Sequence, residues 1–327
     1  MRTLAAGIVI VCGSFLPSAA EGWARRGHDM VAQAASYNLG ALNWGLRERS
    51  FDLEYYSNVP DMVWKADDTI YQAERVEHFV NLEIFQRETG GKKIPFDPDR
   101  KAFFEKFPKI QPAAGRAYWR VSELAEDLAR VTKELRASDL SDKKKHHDLQ
   151  ARWFLIAGIL SHYVGDLSMP LHVSENYDGQ LTNQKGIHRH FEGDSVDQIF
   201  PEIASEVMRR TKAQWAAFHA KNKNKTVFNL MVDLGQDSFA KKEELLELDK
   251  TKGRDLKRAS SQYKVLILDR LTKSSLYLSE IWVRNLDWKF DSDKFFHFSP
   301  KPEWLPPRIA VFQATPPAAP DQKSEQK

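Results

Sequence analysis

Cysteine is almost absent from this chain of 327 residues, where Cys12 is the only one. It lies within an N-terminal segment typical of a secretory signal, so the mature protein would have no disulfide and no thiolate metal ligand. Without disulfides, an exported protein depends for its stability on its hydrophobic core and on any metal ions that it binds.

No apolar run is long enough to span a bilayer. Residues 1–22 combine Arg2 near the start with a short apolar stretch at 4–11 and small residues further on. This order predicts a cleaved signal peptide and cleavage after Gly22, which would make Trp23 the mature N-terminus. We therefore predict a secreted or periplasmic protein without stable membrane insertion.

A free amine at Trp23 would be a potential metal ligand. An α-amino group titrates near neutrality, and with the carbonyl of the same residue it can form a chelate ring on a metal. His28 is near enough in sequence to join it. Two alternatives remain: both residues are simply the first packed positions of a helix, or lipidation at Cys12 removes the free amine, although the preceding Val-Ile-Val is not typical of a lipoprotein signal.

Strand patterns are also scarce, because runs of alternating β-branched residues are few. Helical patterns follow one another instead, and the clearest cover 118–135, 149–167, 201–221, 227–248 and 256–286. In the last of these Ile267, Leu271, Leu278 and Ile281 recur at helical spacing and predict a core stripe. We predict one all-α domain over residues 23–300.

Residues 301–327 contain six prolines among polar residues and alanines, which predicts a tail without a core of its own.

Charge of one sign is not in large excess: the net charge is +3, and residues 1–22 contribute one Arg and one Glu, so the mature value is also +3. This balance does not favour a duplex-binding protein. Nothing in the chain indicates an obligate protein partner.

The richest motif is the segment 162–172. His162 and Asp166 are four residues apart, so on a helix they share one face and can bind one cation together. Pro170 cannot continue the helix, which would allow His172 to return to the same place. Nitrogen and oxygen ligands of this kind suit zinc, and also manganese or iron.

The same spacing of imidazole and carboxylate recurs at His188 and Glu192. One such pair alone is more often a hydrogen-bonded surface pair, but two pairs joined by a further histidine favour a metal site. His190 and Asp194 repeat the spacing two residues later and compete for the same role.

Two further candidate ligands lie upstream. Asp61 follows Pro60 in a predicted turn, and His78 comes late in the stretch 66–84. Either residue alone would be unremarkable, because surface aspartates and half-buried histidines are common.

The order of these residues closely resembles the ligand set of the superfamily of bacterial zinc-dependent phospholipases C and of fungal and plant single-strand-specific nucleases. The matching positions, within residues 23 to about 200, are Trp23, His28, Asp61, His78, His162, Asp166, His172, His188 and Glu192.

The resemblance implies a compact helical bundle around three zinc ions. The first ion would be held by Asp61, His78, His162 and Asp166; the second by His172, His188 and Glu192; the third by Trp23, His28 and Asp166. The activity implied is phosphodiester hydrolysis by a metal-activated water, with Asp61 as the catalytic residue that orients or deprotonates it. Lys65 would either neutralise a phosphate oxygen or be a solvated surface lysine.

The substrate is less well defined by the sequence. Glu192 closes the motif as in the phospholipase branch, whereas the nucleases usually have Asp. The loop 173–187 contains Asp178-Gly179-Gln180 where nucleases carry an Asp-Gly-Gly-Asn-like segment that helps hold a base.

We therefore expect a phospholipid headgroup as the substrate, with single-stranded DNA or RNA as the alternative, and a non-catalytic zinc-binding protein as a third hypothesis. Aromatic residues that could stack on a base or enclose a choline group do not separate these alternatives. They are Tyr55, Tyr56, Phe79 and Tyr177.

Overall fold

The computed structural model describes residues 23–292, and this part of the chain is helical without any extended strand. Its only β-type pairing is an isolated bridge between Val80 and Gly115. The predicted all-α class is confirmed. The predicted signal peptide and tail lie outside the described residues. No described helix is both long and apolar enough to cross a membrane.

The α-helices are, in chain order, α1 (Arg25–Leu39), α2 (Gly45–Glu48), α3 (Ser50–Ser57), α4 (Val59–Met62), α5 (Asp68–Glu74), α6 (Leu82–Thr89), α7 (Arg100–Lys106), α8 (Ala117–Ala137), α9 (Lys143–Ser168), α10 (Ile187–Arg189), α11 (Ser195–Asn222), α12 (Val227–Phe239), α13 (Lys242–Lys252) and α14 (Leu256–Val283). Short 3₁₀ turns cover Trp64–Ala66, Arg75–Glu77, Pro112–Ala114 and Pro170–Val173, and a π-helical turn covers His190–Asp194.

Helix α9 forms the centre of the molecule. Every residue from 153 to 168 is buried, because this part of the helix is surrounded by α8, α3, α14, α1 and α12. A helix that is apolar on nearly all sides belongs in a core. His162 and Asp166 lie in its last two turns, so their side chains are placed in the interior.

The five most clearly predicted helices are present, although α9 begins at 143 rather than 149 and α11 begins at 195 rather than 201. The stretch predicted as one helix over 227–248 is two helices, because the chain turns at Ala240 and Lys241. There the Lys241 N–H donates to the Ser238 carbonyl, which tightens the last turn of α12. After the turn Lys242 Nζ lies 3.0 Å from Glu83 Oε1, a tertiary contact that sequence periodicity does not contain.

The end of α9 follows the prediction made from Pro170. The helix ends at Ser168, and Met169 is extended with φ −81° and ψ 121°. This conformation is the one preferred before proline. The 3₁₀ turn Pro170–Val173 then reverses the chain and buries His172.

Candidate metal centre

Side chains from six segments of the fold converge next to the end of α9. They form three groups in which one nitrogen or oxygen from each residue lies within 4.8 Å of the others. The groups are His28 with His162 and Asp166; Asp61 with His78 and His162; and His172 with His188 and Glu192. Eight of the nine residues predicted as ligands are therefore brought together.

The first cluster is centred on His78 Nδ1 and His162 Nε2, which are 3.0 Å apart. Asp166 Oδ2 lies 2.9 Å from the former and 3.3 Å from the latter. Asp61 Oδ1 lies 4.0 Å and 3.8 Å from the same two nitrogens. Four ligands at tetrahedral zinc, with bonds of about 2.0–2.1 Å, would be about 3.3 Å apart, so these donors fit one such ion.

Asp166 has a second neighbour on its other side. Its Oδ1 lies 3.5 Å from His28 Nε2, while Oδ2 faces His78 and His162. The His28 ring stacks on His162 with centroids 4.1 Å apart. Gly165 makes this approach possible, since a Cβ there would lie 2.8 Å from His28 Nδ1. The carboxylate of Asp166 is thus placed to serve two adjacent ions.

His28 gives a direct test of whether a cation fits. The side chain is fully buried, yet neither ring nitrogen has a hydrogen-bond partner among the described residues. Burial and the neighbouring His162 lower the pKa of His28 to about 3, so the ring is neutral at physiological pH. A buried polar group without a partner costs about 1–3 kcal/mol, and coordination of a metal ion would remove this cost.

The remaining group is formed by His172, His188 and Glu192. His172 Nε2 lies 3.2 Å from His188 Nε2, which lies 2.8 Å from Glu192 Oε2. The π-helical turn His190–Asp194 begins between His188 and Glu192. Turns of this kind are rare in proteins overall, but those that occur often lie at functional sites.

Backbone carbonyls set the proton positions on the histidines. Nδ1 of His172 donates to the His78 carbonyl at 2.9 Å, and Nδ1 of His188 donates to the Tyr177 carbonyl at 2.6 Å. In the neutral rings both Nε2 atoms then carry lone pairs, and these face each other at 3.2 Å. Such an arrangement is repulsive unless a cation, either a metal ion or a proton, lies between them.

His162 follows the same pattern, because its Nδ1 donates to the Ser57 carbonyl at 2.8 Å. A hydrogen bond at the other ring nitrogen is the usual support for a metal-binding histidine. The His78 carbonyl also connects the first cluster to His172, and the Val80 N–H returns a hydrogen bond to the His172 carbonyl at 2.9 Å.

Asp61 and Asp166 are ionised in this setting. Burial alone would raise the pKa of Asp61, but His162, His78 and Lys65 outweigh it and lower the pKa to about 2. Lys65 Nζ lies 2.8 Å from Asp61 Oδ1. For Asp166, burial is likewise outweighed by His162 and His172, and its pKa is well below the usual range.

A buried polar network behind His78 was not predicted from the sequence. Glu74 Oε1 lies 2.8 Å from Arg120, and Glu74 Oε2 accepts the Tyr163 hydroxyl at 2.6 Å. The Tyr163 ring contacts the His78 ring at a centroid distance of 5.1 Å. Glu74 precedes the turn Arg75–Glu77 that carries His78, so the network fixes this turn against α8. Glu74 and Arg120 lie in helices with many other polar residues, so the sequence carries no distinct signal for this network.

The side chain of Trp23 lies beside the site. It is fully buried, its Nε1 donates to Ser168 Oγ at 2.8 Å, and its ring contacts Phe191 at 5.5 Å. The segment before it lies outside the described residues, so ligation by a free amine of Trp23 stays a prediction.

The competing pair, His190 and Asp194, is not brought together in any of the three groups. His190 Nε2 lies 3.4 Å from Ser195 Oγ, and its ring packs against Tyr263. Asp194 is partly exposed and pairs with Arg189 at 3.7 Å. The structure places His188 and Glu192, rather than this pair, beside His172.

Two sequence expectations concern residues around these groups. Asp61 lies in the four-residue helix α4 rather than in a simple turn, and Pro60 lies within the first turn of that helix, where proline is tolerated. Tyr55 and Tyr177 are exposed, whereas Tyr56 is buried.

Comparison with known proteins shows a likeness to solved structures. No protein-family model and no curated protein sequence matches the chain. Among solved structures, Alpha Toxin from Clostridium Absonum is similar in fold, with 13% sequence identity and a TM-score of 0.47, over 84% of this chain and 68% of that chain.

Proposed function

We propose that this protein is a zinc-dependent phosphodiester hydrolase of the phospholipase C type, which cleaves the glycerol side of a phospholipid headgroup phosphate. The observation that carries the proposal is the convergence of buried imidazole lone pairs and carboxylates, above all His172 Nε2 and His188 Nε2 at 3.2 Å. An export signal at residues 1–22 would place the enzyme in the periplasm or outside the cell.

Zinc is the metal that best matches the donors. They are imidazole nitrogens and carboxylate oxygens without any sulfur. In the first cluster the two histidine nitrogens lie 2.9–4.0 Å from each other and from the two aspartate oxygens, close to the spacing of a tetrahedral site. We assign one ion to Asp61, His78, His162 and Asp166, and a second to His172, His188 and Glu192. We assign a third to His28 and Asp166, with the amine and carbonyl of Trp23 completing it.

Bound zinc would polarise the phosphoryl oxygens and lower the pKa of a coordinated water toward neutrality. Asp61 remains an ionised acceptor throughout the neutral range, because its pKa is about 2. As an ionised acceptor it can orient the attacking water, and its low pKa favours this role over acceptance of the water's proton. Its partner Lys65 lies at the edge of the cluster, with Nζ 2.8 Å from Asp61 Oδ1.

Two residues support a phospholipid over a nucleic acid. Glu192 closes the motif, as in the phospholipase branch. Asp178, the candidate base-holding residue, uses its Oδ1 to accept the backbone N–H groups of Gly186 and His188 at 2.9 Å and 3.2 Å. That oxygen is engaged within the protein and is not directed to a ligand.

A paired assay tests the proposal. The mature protein beginning at Trp23 is supplied with zinc and given phosphatidylcholine vesicles, single-stranded DNA or single-stranded RNA, each with and without a chelator. We expect diacylglycerol release that the chelator abolishes. Chelator-sensitive nucleotide release would instead identify a nuclease, and zinc binding without cleavage of any substrate would indicate a structural role for the metal.

A further inference from the structure

Asp178 lies at a turn that leads to the metal-binding segment. Its Oδ1 accepts the N–H of Gly186 at 2.9 Å and the N–H of His188 at 3.2 Å. One carboxylate oxygen therefore closes the loop onto the first residues of α10. Gly186, with φ of +91°, takes the left-handed conformation that this closure needs.

The neighbouring residue controls the ring of His188. The Tyr177 carbonyl accepts the proton on His188 Nδ1 at 2.6 Å, which leaves Nε2 to face His172 and Glu192. Because Tyr177 and Asp178 are consecutive, the hydrogen bonds of Asp178 hold the backbone of His188 at the distance that the Tyr177 carbonyl requires. Backbone and ring of His188 are fixed by two adjacent residues.

The rest of the loop is held by a separate set of contacts. Arg254 donates to the carbonyls of Gln184 and Lys185 at 2.5 Å and 2.8 Å and pairs with Asp249 at 2.7 Å. Gln184 Nε2 donates to the Leu246 carbonyl at 2.8 Å. These contacts attach the loop to α13 and to the chain following it, so removal of the Asp178 carboxylate would affect His188 without releasing the whole loop.

We propose that Asp178 is a positioning residue for the metal ion held by His172, His188 and Glu192. This inference rests on the proposed function, since it assumes that the three residues bind an ion. Asp178 does not touch the ion and acts through His188. Loss of such an indirect support typically weakens metal affinity by about 10-fold to 100-fold.

Four variants separate hydrogen bonding from charge and from general loop stability. Asp178→Ala removes the acceptor, Asp178→Asn keeps an oxygen in place without the charge, and Asp178→Glu keeps the charge but displaces the oxygen. Asp139→Ala is the matched control, because Asp139 Oδ1 also accepts a backbone N–H, that of Ser141 at 2.8 Å. Asp139 lies just before α9. The first residue of that helix, Lys143, is about 28 Å from His162 along the helix axis, at a rise of 1.5 Å per residue.

The readouts are zinc per chain by elemental analysis, zinc affinity by competition with a chromophoric chelator, and thermal melting of the metal-free proteins. We expect the alanine and glutamate variants to bind their weakest zinc about 10-fold to 100-fold less tightly. The asparagine variant and the control should stay within about threefold of the wild type. If the alanine variant does not fold, the contrast between glutamate and asparagine decides.

Wild-type affinity for every zinc in the alanine or the glutamate variant would overturn the inference. Equal loss in the alanine and asparagine variants would also overturn it, because charge rather than the hydrogen bonds would then be responsible. A wild-type protein that binds no zinc would instead refute the proposed function, and the inference would fail with it.

Discussion

Each candidate ligand is held in position by a hydrogen bond or a close contact that cannot be inferred from the spacing of residues in the sequence. The intervals between His162 and Asp166 and between His188 and Glu192 indicate which side chains share a helical face. The spacing could not show that the Tyr177 carbonyl fixes the tautomer of His188, because that contact depends on how the loop folds. It also could not decide between His188 and His190. In the structure the ring of His188 faces His172 and Glu192, whereas the ring of His190 faces Ser195 and Tyr263.

Asp61 gives the first prediction at this scale. Asp61→Asn keeps the shape of the side chain but removes the ionised carboxylate that would orient the water and hold the first zinc ion, so turnover should fall about 10²-fold to 10⁴-fold. Phosphodiester cleavage and circular dichroism of the variant measure activity and fold together. Asp68→Asn, at an exposed position in the next helix, is the control. Full retained activity would remove Asp61 from the mechanism.

The two candidate histidines of the π-helical region give a second prediction. His188→Ala should remove one zinc per chain, because His188 Nε2 faces both His172 and Glu192. His190→Ala should keep the full zinc content, since His190 contacts Ser195 and Tyr263 instead. Elemental analysis of both variants decides, and the opposite pattern would exchange the two assignments.

At the scale of the elements, the long helices could be predicted because their apolar periodicity is strong, and the end of α9 because proline has a fixed steric effect. The short helices α2, α4 and α10 could not be predicted, since helices of three or four residues are determined by their tertiary contacts. The break between α12 and α13 is of the same kind.

The contact between α1 and α3 gives a prediction on pH. Burial, and then the charge of Asp29, raise the pKa of Glu54 on α3 from 4.5 to about 7. Between these values the folded protein binds more protons at Glu54 than the unfolded chain does, so this group's contribution to stability falls as pH rises from about 4.5 to about 7.

Glu54→Gln removes this titration while the side-chain oxygen can still accept from Gln33 Nε2. The variant should melt at a higher temperature than the wild type at pH 8 and at nearly the same temperature at pH 4, with chelator present so that zinc binding does not contribute. Glu48→Gln at an exposed position on α2 is the control. A variant that gains stability only at pH 4 would contradict the account.

At the scale of the whole molecule, the all-α class could be predicted from the scarcity of strand patterns, and most of the site from the order of its histidines and acids. The chain brings these residues together from positions as far apart as His28 and Glu192 because α9 is surrounded by other helices. The polar network of Glu74, Arg120 and Tyr163 was missed, since each partner is unremarkable in its own segment.

Processing of the N-terminus gives the prediction that concerns the entire chain. Trp23 packs beside Ser168 at the end of α9, so a free amine at this residue would begin next to the cluster. A protein that retains one extra residue before Trp23 should bind less zinc and hydrolyse phosphodiesters more slowly than the protein that begins at Trp23. Equal zinc content by elemental analysis would exclude the amine as a ligand.

The most direct test is a titration of zinc into the metal-free mature protein while phosphodiester cleavage is followed. The account predicts no cleavage without zinc and a rise that reaches its plateau at about three zinc ions per chain, as the proposed assignment of the ligands to three ions requires. Cleavage that is unchanged by removal of the metal, or a fully zinc-loaded protein that cleaves neither phospholipid nor nucleic acid, would contradict it.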